Sequence, residues 1–532
     1  MSRPPHRAPD WRGYLWCGAA GAGSVASFAP FSCWYLLPLL LAILFRTWLL
    51  VPERRAGTGF AYGLGLFTVG VHWIYISLHD HGGMPAPIAG LALLGFAAFC
   101  ALIPAVAGAL SRRLPPASPA RTALLTLPAA WTLLEWSRTW FCTGFPWLAA
   151  GYSQVPGPLA IWLPWGGVYT ASLLVAMLAG ALALISLPAP SAADGGGPSD
   201  PQARLRARWQ ALGTGVMLAG LTLLARLPAF TQPIGHPVRF ALIQGNIAQD
   251  EKFDPVHLAE GLHRYLTLAQ ASSARLIVLP ESAVPLLHDD VSPDYLDALR
   301  AIGQRNGGDL LVGMFDEPRP GEIHNSMFSL GQARQQVYRK HHLVPFGEFI
   351  PLGGLVAPIM NALLAMPIGS QAAGPLGQGT MAVAGQQVAM DICYEDAFGE
   401  EIITALPAAT LLVNVSNDAW FGMAVGPEQH LQMAQARSLE TGREMLRTTN
   451  TGVTALIGAN GVVLQRAPKG EVAVLEGLVQ GRSGTTPFVR MGNHGVVVLC
   501  LLLLWQGSSR RRRPSHWRKR WLWHWPWRRR SP

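Results

Sequence analysis

One arrangement in this sequence points most directly to chemistry: a thiol at the end of a strand-like run with carboxylates around it, Met390-Asp391-Ile392-Cys393-Tyr394-Glu395-Asp396. A cysteine nucleophile needs a base to take its proton, a cation to hold the oxyanion its attack creates, and a rigid turn to present it to a cleft. Two upstream stretches offer those groups. Ile277-Val278-Leu279-Pro280-Glu281-Ser282 sets a carboxylate just after a β-rich run, and Tyr338-Arg339-Lys340-His341-His342 sets an ammonium after another. Alone, Glu281 reads as a helix-start carboxylate, which the helix dipole favours, and Cys393 reads equally as a small buried hydrophobe. The order Glu, Lys, Cys, each at a strand end, reverses those readings. His324, His341, His342 and His430 with Cys393 match no compact zinc spacing, so neither a metal nor another cofactor is expected.

The elements around these residues divide the chain. Of 532 residues half are apolar and only 14% charged, well under the usual quarter, which points to a membrane protein. The net charge of +10 is unevenly spread. From His236 to Pro487, 16 Lys+Arg face 25 Asp+Glu; the remainder has 25 against 6. Positive charge therefore belongs to the apolar portion and its tails, where insertion and anionic lipid account for it, and nucleic acid is not an expected partner. Cys17, Cys33, Cys100, Cys142 and Cys500 lie in or beside apolar segments, which leaves Cys393 without a disulfide partner in the polar region.

Apolar runs of spanning length are marked at Tyr14–Pro30, Trp34–Val51, Thr58–Leu78, Pro87–Leu110, Ala123–Trp140, Leu159–Leu187, Trp209–Leu227 and Phe488–Trp505. The first is read as an uncleaved anchor rather than a signal peptide, since another apolar run follows closely. Arg3, Arg7 and Arg12, then Arg46, Arg54 and Arg55, then Arg112, Arg113 and Arg121, then Arg204, Arg206 and Arg208 fall in alternate loops. With the N-terminus inside, the polar region emerges outside and the last span returns the tail to the cytoplasm. Ser191–Gln202 reads as a loop. Glu135 and Arg138, at i, i+3, read as a mutually paired helix-end couple, with a lipid-headgroup site as the alternative. In the polar region, strands are expected at Val238–Gln244, Arg275–Leu279, Leu310–Met314, Ser326–Leu330, Gln336–Arg339, Val383–Ile392, Thr410–Val415 and Thr454–Ile457. Helices are expected at His257–Ala271, Pro293–Gln304, Phe398–Leu406 and Glu428–Thr441. This is an α/β layered domain with a mixed sheet.

The region resembles the membrane-embedded, apolipoprotein N-acyltransferase branch of the nitrilase (carbon–nitrogen hydrolase) superfamily. The resemblance rests on Phe145-Pro146-Trp147 and Gly151-Tyr152-Ser153-Gln154, then Gln244-Gly245-Asn246-Ile247, Leu279-Pro280-Glu281, His342-Leu343-Val344-Pro345-Phe346-Gly347-Glu348, Cys393-Tyr394-Glu395 and Asn450-Thr451-Gly452. It implies a multi-span α-helical membrane domain (1–230), an exported nitrilase-like α/β/β/α sandwich (231–487), and a final span with a basic cytoplasmic tail (488–532). It carries the family's roles onto Glu281 as general base, Lys340 as electrostatic support and Cys393 as nucleophile. The Tyr394 N–H is a second oxyanion donor, Glu348 and Glu395 are accessory carboxylates, and Phe253 and Trp420 are substrate-binding positions. Where Phe253 stands the family usually has Trp, so an indole N–H is lost. The implied reaction moves an acyl chain from a phospholipid, phosphatidylethanolamine, through a Cys393 thioester to the α-amine of a diacylated apolipoprotein, at the periplasmic face of a bacterial inner membrane.

Two rival functions remain at this stage: a membrane-tethered amidase of the same superfamily, using water as acceptor, and a non-catalytic transporter or scaffold, in which the three residues would be dispensable. The segment Asn414 to Phe421 reads either as a strand and loop lining the cleft or as a structural turn. Pro351 to Pro367 is more apolar than a surface loop should be and reads as a membrane-dipping arm beside the cleft, with an apolar loop packed permanently on the domain as the alternative. The Trp/Arg-rich tail reads as a stop-transfer signal at the bilayer surface.

Overall fold

The computed structural model describes residues 11–114, 118–188, 201–226, 229–252, 254–351 and 371–508. Phe253, the apolar stretch after Pro351, most of the Ser191–Gln202 loop and the Trp/Arg-rich tail lie outside the described residues.

Among the described residues, seven helices of three turns or more come first: α1 (Trp11–Ser24), α2 (Leu36–Leu50), α3 (Arg55–Gly70), α4 (Ala86–Arg113), α5 (Leu127–Ser137), α6 (Leu163–Ile185) and α7 (Pro201–Leu224). They share a core of Leu, Ala, Phe and Trp side chains. Small residues let their backbones touch: a Cβ on Gly21 of α1 would lie 1.9 Å from the Tyr62 carbonyl oxygen of α3. Close approach of this kind is how apolar helices associate when lipid removes the hydrophobic drive between them. By length and composition, Ala86–Arg113 and Pro158–Ile185 can each cross a membrane, at 28 residues apiece, and Leu36–Leu50 with Pro52–Gly70 pass only as a pair bent by 120°. Several apolar runs thus yield shorter helices than the sequence suggests. The Tyr14–Pro30 run is helical only to Ser24 before a 3-10 turn, and Ala123–Trp140 begins as a π-helical turn, Thr122–Thr126. The Thr58–Leu78 run stops at Gly70, whose carbonyl accepts a hydrogen bond from Gln429 of the polar half. A helix can end inside an apolar run when its orphan carbonyls find such a partner.

The remainder is two six-stranded sheets packed face to face. The first has the order β13-β2-β3-β4-β5-β6, from β2 (Val238–Gln244), β3 (Leu276–Val278), β4 (Asp309–Asp316), β5 (His324–Gly331), β6 (Val337–Arg339) and β13 (Ala473–Val479). The second runs β12-β11-β10-β9-β8-β7, from β7 (Met381–Val383), β8 (Gln386–Ile392), β9 (Leu411–Ser416), β10 (Met445–Thr449), β11 (Ala455–Ile457) and β12 (Val463–Arg466). A short pair, β1 (Thr231–Pro233) with β14 (Arg482–Gly484), closes the base. In each sheet the central strands are parallel and the outer ones antiparallel. Alternation builds the layers. Phe240 and Leu242 of β2 face β8 and β9 across the inter-sheet core, while Ala241 and Ile243 face α8 (Pro255–Ala271) and α9 (Pro293–Arg305). The other sheet is covered by α10 (Gly426–Thr441), and α11 (His494–Ser508) returns to pack on α5.

The layers therefore run α/β/β/α beside an apolar helical half. Some details differ from the sequence reading. Val383–Ile392 is a hairpin, because Ala384 and Gly385 both take positive φ and turn the chain. The Phe398–Leu406 helix is only Gly399–Ile402 with a 3-10 turn after it. The strands β1, β10, β12, β13 and β14 were not expected. β10 (Met-Leu-Arg-Thr-Thr) is wholly buried, so it has no polar alternation to show, and β13 runs along an exposed edge where its side chains are of mixed character.

Candidate active site

Parallel strands direct their carboxyl ends to one side of a sheet, and three of these ends meet. Glu281 follows β3 by three residues, Lys340 follows β6 directly, and Cys393 follows β8 directly. The Glu281 turn is laid over β4 at Gly313, where a Cβ would come within 2.5 Å of the Ser282 nitrogen. Cys393 sits at φ 57°, a left-handed backbone that only surrounding contacts can hold in a non-glycine residue.

Glu395 supplies those contacts. Its Oε2 accepts from the Ile392 N–H at 2.6 Å and from the Tyr338 hydroxyl at 3.0 Å. Its Oε1 accepts from the N–H groups of His341 at 2.6 Å and His342 at 3.1 Å. One buried carboxylate thus ties the cysteine turn to the chain leaving Lys340. Burial, opposed by those donors, raises the Glu395 carboxyl to about 7.

The Glu281 carboxylate is saturated but for one position. Oε1 accepts from Lys340 Nζ at 3.2 Å and Asn325 Nδ2 at 2.7 Å, and Oε2 accepts from the Asn417 N–H at 2.8 Å. Of about four acceptor sites on a carboxylate, one remains for an incoming proton. Burial pushes this group up, yet Lys340 and then Lys252 outweigh it, so its pKa falls below the ordinary value. Lys340 is buried too, and its second bond goes to Glu348 Oε1 at 2.7 Å; the two carboxylates override burial and hold it firmly protonated. Glu348 is fixed in turn by the Val344 N–H at 2.8 Å. For partly exposed Cys393, burial and then the charge of Glu281 drive the thiol well above its usual pKa, with Lys340 opposing. The resting site therefore holds a neutral thiol, a carboxylate and an ammonium.

The sequence reading missed Lys252. It is buried, its Nζ donates to the Glu281 carbonyl oxygen at 3.1 Å, and burial lowers it to about 8 against the pull of Glu281 and Cys393. One signal was available: of 41 basic residues only four are Lys, and two of those four stand here. A chain that uses Arg almost everywhere keeps Lys where a compact charge with an adjustable pKa is required. Asn325 and Asn417 were also missed as direct partners of Glu281.

The remaining candidates scatter. The Tyr394 hydroxyl donates to the Gly144 carbonyl at 3.0 Å, and its ring stacks near Trp147. Trp420 turns to the helical half, where its carbonyl accepts from Ser77 Oγ at 2.7 Å and its ring meets His81 at 5.9 Å. Glu135 and Arg138 pair at 3.8 Å inside the helical half; Arg138 also donates to the Trp147 carbonyl and Glu135 accepts from the Ala150 N–H. They stitch a loop rather than face lipid. His324, His341 and His342 each bond a nearby carbonyl or carboxylate.

Residues 239–487, which include both six-stranded sheets, match the family model described as carbon-nitrogen hydrolase. The sheet half is a domain of that class. Residues 20–181 match a second model, the apolipoprotein N-acyltransferase N-terminal domain. A protein of Nitrosomonas europaea named apolipoprotein N-acyltransferase is 45% identical over 92% of this chain and 96% of its own. One of the same name from Chromobacterium violaceum is 42% identical over 93% and 94%. The chain belongs to the apolipoprotein N-acyltransferase family. Among solved structures, a carbon-nitrogen hydrolase from Helicobacter pylori is 16% identical with a TM-score of 0.33, covering 50% of this chain and 93% of its own. An amidase from Nesterenkonia is 17% identical with a TM-score of 0.33, covering 50% and 97%.

Proposed function

We propose that the chain transfers an acyl group from a phospholipid, phosphatidylethanolamine, to the N-terminal α-amine of a diacylated apolipoprotein, with Cys393 carrying the acyl group as a thioester. Glu281 takes the thiol proton as Sγ bonds the ester carbonyl carbon. The C–O bond then breaks, and Glu281 returns the proton to the leaving alcohol, releasing a lysophospholipid. In the second half the neutral α-amine attacks the thioester, the C–S bond breaks, and the amine proton passes through Glu281 to the thiolate. Because the thiol is hard to ionise and Glu281 is a weak base, proton transfer accompanies attack rather than preceding it. Lys340 commits two donors to Glu281 and Glu348; its third, with the Tyr394 N–H, receives the oxyanion.

One observation carries this reading over simple hydrolysis. Tyr394, Ala397 and Phe398, the residues just past the thiol, pack into the same core as the apolar helices. A thiol whose turn is built into such a core suits substrates that arrive through lipid and a thioester that must be kept from water. The charge distribution supports a multi-pass protein of a bacterial inner membrane with its sheets on the periplasmic side.

Incubating the purified chain with phosphatidylethanolamine and measuring its intact mass tests the proposal. The expected result is an acyl-sized increment that hydroxylamine or a diacylated lipopeptide removes and that Cys393→Ala never acquires. Release of free fatty acid at the same rate with and without lipopeptide would instead establish the amidase-type use of water.

A further inference from the structure

Behind the thiol lies a buried charged cluster that the scheme above leaves unused. His430 of α10, only 1% exposed, has Nε2 3.1 Å from the Cys393 carbonyl oxygen and 2.9 Å from Asp396 Oδ1, and Nδ1 2.9 Å from Asp418 Oδ1. Arg447 of β10 donates to Asp396 Oδ2 at 2.8 Å and Asp418 Oδ2 at 3.2 Å, with Nη2 2.8 Å from His430 Nδ1. Asn414 of β9 adds a second donor to the Cys393 carbonyl at 3.3 Å, and Trp147 covers the imidazole from the helical half. Burial and then Asp396 push the Asp391 carboxyl, at the end of β8, well above its usual pKa, which favours its neutral form. The charged groups facing His430 are therefore Asp396, Asp418 and Arg447. Two carboxylates and one guanidinium leave a deficit of one positive charge, which a protonated His430 fills; burial and Arg447 oppose this, but the aspartates prevail and hold it at about 9.

We infer that His430, as an imidazolium, polarises the Cys393–Tyr394 peptide through its carbonyl oxygen and so strengthens the Tyr394 N–H as an oxyanion donor. An amide whose oxygen accepts hydrogen bonds gains C–N double-bond character and leaves its N–H more positive; such coupling strengthens each bond by roughly 10–30%. A charged donor acts about twice as strongly as a neutral one. His430 touches neither acyl group nor sulfur, so it is a positioning residue acting through the peptide. The inference rests on the thioester reading proposed above.

The test uses the full chain in detergent, acylated by p-nitrophenyl octanoate labelled with carbon-13 at its carbonyl. The infrared band of the Cys393 thioester carbonyl reports how strongly its oxygen is held. In His430→Gln, which keeps a donor but not the charge, the band should rise in frequency. Acylation should slow about tenfold, less than the loss of a whole oxyanion donor, with the apparent KM unchanged. In the unaltered chain the band should make the same rise as pH increases from 7.5 to 10, with a midpoint near 9, a transition the variant lacks. A band that is identical in both proteins, or that does not move with pH in the unaltered one, overturns the inference; the pH series decides even if the variant does not fold. Absence of any thioester band in the unaltered chain would instead overturn the reading on which it rests.

Discussion

Two lysines flank Glu281, and between them they set the protonation of the site. Lys340 bonds the carboxylate and Lys252 bonds the same residue's carbonyl. Since both lower the Glu281 pKa below 4.5, the carboxylate is ionised throughout the neutral range, and on the acid side acylation of Cys393 should decline as pH falls through the low-pH end. Removing a cation reverses part of that shift. Lys252→Met should therefore move the acid limb of the single-turnover acylation rate upward in pH; a limb at the original pH would show that Lys252 does not act on Glu281. Lys340→Arg should reduce acylation at least a hundredfold, because a planar fork cannot serve Glu281, Glu348 and an oxyanion from one point; turnover within tenfold of the unaltered chain would remove that role. The sequence brought Glu281, Lys340 and Cys393 to notice because residue type and strand-end position are both local properties. Lys252 lies in a loop whose contact with Glu281 exists only once the sheets have formed, so nothing but the scarcity of lysine marked it.

At the level of elements, the turn carrying Cys393 is held by groups from two strand ends, those of β6 and β8, with Glu395 as their common acceptor. Glu395→Gln keeps the shape but turns one acceptor oxygen into a donor, which then opposes the pair of N–H or O–H groups it meets. Each lost bond to a charged group is worth about 1.5–3 kcal/mol. Thermal unfolding should show a lower midpoint, and acylation should slow in parallel; an unchanged midpoint would mean the clasp is not structural. Strands with clear alternation and helices with caps were legible: β2 falls at Val238–Gln244 as expected, and α8 opens with Asp254 capping Val256. Those decided by tertiary contact were not. Gly70 ends α3 where Gln429 meets it, and β10 is buried on both faces and lacks any periodic signal.

For the whole molecule, the two halves share a core rather than a simple contact. Trp73 and Trp147 both donate to Gln429 Oε1, at 3.2 and 2.7 Å, and the Val168 N–H donates to Glu440 Oε1 at 2.8 Å. Residues 231–487 expressed alone should therefore expose Met433, Ala436, Leu439, Tyr394 and Phe398, and should aggregate or fail to form a thioester with p-nitrophenyl octanoate. Soluble, acylated material would show that the sheets are self-sufficient. Truncation after Arg513, by contrast, should leave acylation intact, since the charge that stops transfer is retained.

Helix α10 has fourteen of its sixteen residues buried, although nine of the sixteen are polar or charged. Leu431 and Ala434 face the second sheet, while Met433, Ala436 and Leu439 face the apolar helices. By its hydrogen bonds it is owned in common. Exchanging parts between relatives at the obvious loop boundaries would separate this helix from half of its partners and strand buried polar groups in the seam. A working chimera must take α10 together with the segments around Gly70, Trp147 and Val168, so drift on one side of that seam can persist only where the other side drifts to match it.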